Sequence, residues 1–101
     1  MSGIKHDTGK PKTGQVMQGF SRALSAIGQL GTVGAEEYGM TNFIQVEDGY
    51  NRYTDALMRH FLQEKIEEKD IKTGLPHQIA VCWNALARLE LYLKERESSG
   101  E

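Results

Sequence analysis

Apolar residues recur at spacings of three and four along residues 15–39, and this pattern predicts a first helix. Its predicted apolar face consists of Val16, Phe20, Ala23, Leu24, Ile27, Leu30 and Val33. Four glycines interrupt the stretch, and each costs a helix about 1 kcal/mol relative to alanine. We therefore expect another backbone to approach this helix closely. Gly39 is the predicted helix stop, because glycine readily ends helices.

Two further amphipathic helices are predicted, over residues 48–68 and 76–97. Asp48 is a favourable N-cap for the second helix, and Pro76 suits the first turn of the third. The stripe of the second helix consists of Tyr50, Tyr53, Leu57, Met58, Phe61, Leu62 and Ile66. That of the third consists of Ile79, Cys82, Trp83, Leu86, Leu89 and Leu93. A charged turn over residues 67–74 connects these two helices.

Residues 1–14 are predicted to form an irregular arm, since Gly9, Pro11 and Gly14 disfavour a regular element. Three lysines against one aspartate give this arm a net charge of +2. Residues 98–101 are expected to fray. The sequence therefore predicts a single all-α domain over residues 1–101, with three helices and an N-terminal arm.

The composition restricts the class of protein and its partners. With 101 residues, 39% of them hydrophobic, the chain is one small soluble domain. Because small domains bury little surface, the wide apolar stripes predict a homo-oligomer that pairs through its helix faces. A net charge of −2 argues against general nucleic-acid binding. There is no membrane-spanning run and no signal-peptide core, so we expect a cytoplasmic protein.

Polar residues also line one face of the second predicted helix, where Asn51, Asp55 and Arg59 recur every four residues. An exposed ion pair between Asp55 and Arg59 explains this spacing as well as a binding site does. On the third helix, His77 and Asn84 lie two turns apart, and we expect them to face the same pocket as His60. A buried Asn84 would either bond a neighbouring helix or contact a ligand.

Acidic motifs give a weaker signal. Helical nucleotide pyrophosphohydrolases hold Mg²⁺ with Glu-x-x-Glu and Glu-x-x-Asp pairs on neighbouring helices, because hard cations prefer oxygen ligands. The first two helices contain neither spacing. The only matches, Glu64 to Glu67 and Glu67 to Asp70, fall at the charged turn. Two histidines with Glu64 would be a poor metal site at this spacing.

Several short strings occur in an order typical of one family. They are KHDTGKPK at 5–12, GAEEYG at 34–39, NF at 42–43, RH at 59–60, and GLPH at 74–77 followed by Asn84. Together they resemble the phage domain family known as the N-terminal region of dATP/dGTP diphosphohydrolases. The chain departs from the family pattern at Lys12, Glu37, Phe43, Glu67 and Ala80, where the family usually has Arg, Lys, Trp, Gly and His.

This resemblance implies hydrolysis of a purine deoxynucleoside triphosphate, in the host cytoplasm if a phage encodes the chain, and we expect the reaction to depend on Mg²⁺. The substrate would be bound by Lys5, Asp7, Lys10, Arg59 and Asn84, of which the cations neutralise phosphates. The metal would be held by Glu36, Asp55 and Glu64. His60 and His77 would be the catalytic residues, orienting water or contacting the base.

Two alternatives remain open from the sequence. The first is an inactive domain that binds or sequesters a nucleotide. The second is a homo-oligomeric interaction module that binds a host or phage protein through its Tyr, Met and Trp side chains.

Overall fold

The computed structural model describes His6 and residues 8–100. Four α-helices follow one another: α1 (Thr13–Gln18), α2 (Ser21–Tyr38), α3 (Gly49–Gln63) and α4 (His77–Ser98). A short 3-10 helix, Asn42–Gln45, lies between α2 and α3. Within the described residues there is no β-strand, so the predicted all-α class is confirmed.

The stretch predicted as the first of three helices forms two helices, which brings the total to four. The division falls at Gly19 and Phe20, whose amides donate to Val16 and Met17, three residues back, at 3.1 and 2.9 Å. Glycine at this point weakens helix propagation, which explains why the chain turns here. Helix α1 contacts α2 and no other described helix.

Helices α3 and α4 form an antiparallel hairpin, and α2 packs against α4. Small residues allow this close packing. A Cβ atom at Gly49, the first residue of α3, would lie 2.8 Å from Leu91 Cδ1 of α4. A Cβ atom at Gly31 of α2 would lie 3.4 Å from the indole nitrogen of Trp83. Gly31 therefore leaves room for the Trp83 side chain, and Gly49 allows α4 to approach the start of α3.

The buried side of α4 consists of His77, Ala80, Asn84 and Ala87. The stripe predicted for this helix lies largely elsewhere: Cys82, Leu86, Leu89 and Leu93 are exposed, and Ile79 is half-buried. Helix α4 therefore packs within the chain through its small residues. Its large aliphatic side chains point away from α3, because positions about 180° apart on a helix cannot face the same neighbour.

Three aromatic rings join α3, α4 and the 3-10 helix. The ring of Phe43 meets Trp83 edge to face at a centroid distance of 5.4 Å, and Tyr53 meets Trp83 at 5.7 Å. The Tyr53 hydroxyl donates to the Phe43 carbonyl at 2.9 Å. Such edge-to-face pairs stabilise a fold beyond the area they bury.

Backbone hydrogen bonds shape the connection between α3 and α4, residues 64–76. The Asp70 amide donates to Leu75 O at 2.8 Å, and the His77 amide donates to Glu68 O at 2.8 Å. This turn returns the chain to the end of α3, so that α4 starts beside the last turn of α3. Among the described helices, none is long and apolar enough to cross a membrane.

Candidate functional site

Two histidines meet where α3 ends and α4 begins. The Nδ1 atoms of His60 and His77 lie 2.8 Å apart, within hydrogen-bond distance. His77 is buried, with 3% of its surface exposed, whereas His60 is half-buried. Because two nitrogens at this distance need one proton between them, one ring donates and the other accepts.

The second nitrogen of His77 sets the direction of that hydrogen bond. His77 Nε2 lies 3.4 Å from Glu67 Oε1, and a carboxylate only accepts. His77 in its neutral form therefore carries its proton on Nε2 and accepts at Nδ1. His60 must then donate from Nδ1, which leaves an unprotonated lone pair on His60 Nε2.

The surroundings keep His60 neutral. Burial lowers the pKa of His60, and the nearby charges of His77 and Arg59 lower it further, while the Asp70 carboxylate opposes them. The net effect is a pKa below the usual 6.5 of an imidazole. A neutral His60 at neutral pH is able to accept a proton.

His60 lines an open cleft of about 520 Å³, which we call the α2–turn cleft. One wall is the C-terminal half of α2 and the other is the turn after α3. Its lining residues are Leu30, Val33, Gly34, Glu36, Glu37, His60, Asp70, Lys72 and Thr73. The structure thus brings Glu36, a predicted metal ligand, into the same cleft as His60, a predicted catalytic residue.

Carboxylates dominate the charge of the α2–turn cleft. Glu36, Glu37 and Asp70 contribute three negative charges against one positive charge from Lys72. Lys72 Nζ lies 3.4 Å from Glu37 Oε2 across the cleft. The Thr73 hydroxyl donates to Asp70 Oδ2 at 3.2 Å, which fixes the turn. A cation is therefore favoured here over a free anion.

Other predicted site residues lie apart from this cleft. Asp55 and Arg59 are exposed on α3, and Asp55 lies about 140° around the helix from His60. Glu64 lines a second cleft of about 450 Å³ with Glu67 and Pro76. Lys10 is exposed in the turn before α1. Lys5 and Asp7 lie outside the described residues.

Asn84 is bound within its own helix. Its side-chain amide donates to the Ala80 carbonyl at 2.8 Å, and 7% of the residue is exposed. The sequence suggested a hydrogen bond to a neighbouring helix or a contact with a ligand, and both require a partner outside α4. The amide nitrogen of Asn84 instead donates to a carbonyl of α4 itself. Asn84 and His77 line neither of the two clefts.

The donors present decide whether a metal ion fits within one chain. In the part of the chain that the structure describes, no group of three or more His, Cys, Asp or Glu side chains is arranged to hold a metal ion. Glu36, Asp55 and Glu64 therefore do not form one metal cage within a single chain. Mg²⁺ often binds through one or two carboxylates plus substrate phosphates, and the α2–turn cleft offers carboxylates of that kind.

Sequence reasoning did not select Glu67, Asp70 or Lys72, which the structure places at the His pair and the cleft. A signal for two of them was present, since Glu67 and Asp70 form the Glu-x-x-Asp match at the turn. Charged turns produce such spacings by chance, so the match between Glu67 and Asp70 does not by itself indicate a binding site.

The sequence matches, over residues 1–100, the family described as dATP/dGTP diphosphohydrolase, N-terminal. The chain belongs to this family. The resemblance read from the short strings is therefore confirmed. No curated protein and no solved structure matches the chain.

Proposed function

We propose that this family member binds a purine deoxynucleoside triphosphate together with Mg²⁺ in the α2–turn cleft and hydrolyses it. The observation that carries the proposal is the convergence of a neutral histidine, His60, with the carboxylates of Glu36 and Asp70 on one cleft. The family description supplies the substrate class.

Charge supports a nucleotide that arrives with its metal ion. A triphosphate alone would be repelled by three carboxylates, whereas the magnesium complex carries less negative charge and offers the ion to oxygen ligands. Glu36 and Asp70 would hold the ion, which supplies charge neutralisation at the phosphates when bound. Nucleotide binding should therefore depend on Mg²⁺.

His60 would accept a proton from water through its Nε2 atom. Its Nδ1 atom is engaged with His77, so Nε2 is the atom left for a ligand in the cleft. His77 would act as a positioning residue, because it is buried and both of its ring nitrogens are engaged. Glu67 would fix the tautomer of His77, as carboxylates that accept a hydrogen bond from a metal-binding histidine do in many metal sites.

The basic arm would supply the positive charge that the cleft lacks. Lys5 and Lys10 would neutralise phosphate oxygens that the ion does not reach, and Asp7 would hold the arm in place. Arg59 would contribute from the neighbouring face of α3. Removal of residues 1–12 should weaken nucleotide binding while the helical circular dichroism signal stays unchanged.

The proposal is tested with purified full-length protein, purine and pyrimidine deoxynucleoside triphosphates, and Mg²⁺ present or replaced by EDTA. We expect the melting temperature to rise only with a purine nucleotide plus Mg²⁺. A nucleotide concentration of 100 times the dissociation constant should add about 2.7 kcal/mol to the free energy of unfolding. Release of pyrophosphate is measured in the same samples.

Matched variants then locate the site. Glu36→Gln should abolish the shift, whereas Asp55→Asn, an exposed carboxylate outside the cleft, should retain it. If both variants bind like the wild type, the nucleotide does not use the α2–turn cleft.

Sequestration without hydrolysis is the second candidate function. It is favoured by the lack, among the described residues, of a three-ligand metal group such as metal-dependent hydrolysis commonly uses. Binding at micromolar affinity with no product after prolonged incubation would select this function. In that case His60→Gln should leave the amount of product at background and affect affinity alone.

A further inference from the structure

Large aliphatic side chains on the outer face of α4 follow the spacing of a coiled coil. Successive members are three, four, three and four residues apart, which is the a and d pattern of two heptads. We call this face the outer seam, and it consists of Ile79, Cys82, Leu86, Leu89 and Leu93. The three leucines are each about half exposed, at 47 to 50%.

Within the described residues, the outer seam lies away from the face of α4 that packs against α3 and α2. Helix α4 packs against α3 and α2 through His77, Ala80, Asn84 and Ala87, which lie on its other side. Helix α4 also extends past its neighbour, because Leu91 lies beside Gly49, the first residue of α3. Residues 92–98 continue for about 10 Å beyond that point. Leu93 therefore projects where α3 offers no cover.

The chain exposes more surface than a compact monomer of its mass. The chain exposes 8195 Å². A folded monomer of 11.3 kDa exposes about 5,700 Å². A stable protein interface covers about 800 Å² on each partner, so the excess exceeds what one such interface needs. A regular seam of this kind fits an identical seam.

We propose that the outer seam is the interface with a second copy of this chain, with the two α4 helices packed antiparallel. In a parallel pair, the heptad would continue to Arg96 and bring this cation against its own copy. In an antiparallel pair, each a position faces a d position, so Leu86 lies opposite Leu89 of the other copy and Cys82 lies opposite Leu93. Arg96 then lies opposite Ile79 in the first turn of the other helix and not against its own copy.

The oligomeric state is the first test, measured by sedimentation velocity on the full chain from 1 to 50 µM. We expect a dimer for the wild type and at least 100-fold weaker association for Leu89→Glu. The matched control is Leu62→Glu, an exposed leucine of α3 with 60% exposure, which should remain dimeric. A wild-type monomer at 50 µM overturns the proposal, as does a Leu89→Glu variant that associates as well as Leu62→Glu.

Disulfide trapping provides a second test that does not depend on the stability of a charged variant. Leu86 faces Leu89 of the other copy in the antiparallel pair, so Cys82→Ser with Leu86→Cys and Leu89→Cys should form a covalent dimer on mild oxidation. Native Cys82 should not, because the Cys82 residues of the two copies lie about 16 Å apart along the helices, beyond disulfide reach. Efficient trapping through Cys82 overturns the antiparallel arrangement, and a dimer trapped by neither cysteine overturns the seam.

Discussion

His60 and His77, which are 17 positions apart in sequence, share one hydrogen bond across the junction of α3 and α4, with their Nδ1 atoms 2.8 Å apart. A single proton satisfies this pair, and a second proton would place two N–H groups against each other. The pair therefore ties the conformation of the junction to the protonation state of His60.

Stability should fall as the pH is lowered below neutrality. The pKa of His60 is lowered in the fold, mainly by burial, so the unfolded chain takes up a proton first as the pH drops through 6.5. The free energy of unfolding then decreases until the pH passes the folded pKa. Urea denaturation between pH 7.5 and 5.5 measures this, with His60→Gln as the control that should show a flatter profile. An equal slope in both proteins would contradict the assignment to His60.

Gly49→Ala should destabilise the domain by about 1–3 kcal/mol, as overpacking does. The added methyl group would lie 2.8 Å from Leu91 Cδ1 and 3.4 Å from Tyr53 Cε2. Gly28→Ala in α2 is the matched control, since nothing lies within 4 Å of its Cβ position. The control should gain up to about 1 kcal/mol from helix propensity. Chemical denaturation compares them, and equal effects would show that Gly49 is not a close contact.

Tyr53→Phe should cost about 1 kcal/mol of unfolding free energy, because the variant leaves the Phe43 carbonyl without its donor. Tyr92→Phe is the control, since that hydroxyl is on an exposed residue of α4 and accepts a hydrogen bond from Arg96 of the same helix. Its cost should stay below about 0.5 kcal/mol. If thermal denaturation ranks the two in the opposite order, the Tyr53 hydrogen bond does not anchor the 3-10 helix.

Asn84→Leu should change stability by less than about 1 kcal/mol. The Ala80 carbonyl that accepts the amide is also within reach of the Asn84 backbone amide, so removal of the side-chain donor leaves no orphan acceptor. Asn84→Asp should be clearly destabilising, since it places a buried carboxylate against the Ala80 carbonyl oxygen, which cannot donate a hydrogen bond to it. The two variants are compared by urea denaturation and by nucleotide binding. A loss of binding in a stable Asn84→Leu protein would restore Asn84 to the site.

Periodicity predicted that α4 has an apolar face but not which of its faces packs within the chain. The large side chains from Ile79 to Leu93 gave the stronger pattern, yet α3 and α2 contact the face of Ala80 and Ala87. Small residues permit close approach between helices, and their weak hydrophobic signal hides that role in a sequence. For a helix with two apolar faces, the face that packs within the chain can be identified only when the positions of the neighbouring helices are known.

The His pair illustrates a different limit of sequence reasoning. His60 and His77 were each selected from their strings, but their contact depends on how residues 64–76 fold back. The charged composition of this segment predicted a turn. It carried no information about the hydrogen bonds that direct Glu67 towards His77 and Asp70 into the α2–turn cleft.

The local nature of the α3–α4 hairpin determines the order in which the site assembles during folding. Contacts between residues close in sequence form with little loss of chain entropy, so the hairpin is the natural first structure and carries the His pair with it. Helix α2 joins through distant contacts such as Gly31 with Trp83, 52 positions apart. The cleft exists only after this last step. A ligand that binds only the completed cleft would therefore hold α2 in its docked position and raise the free energy of unfolding.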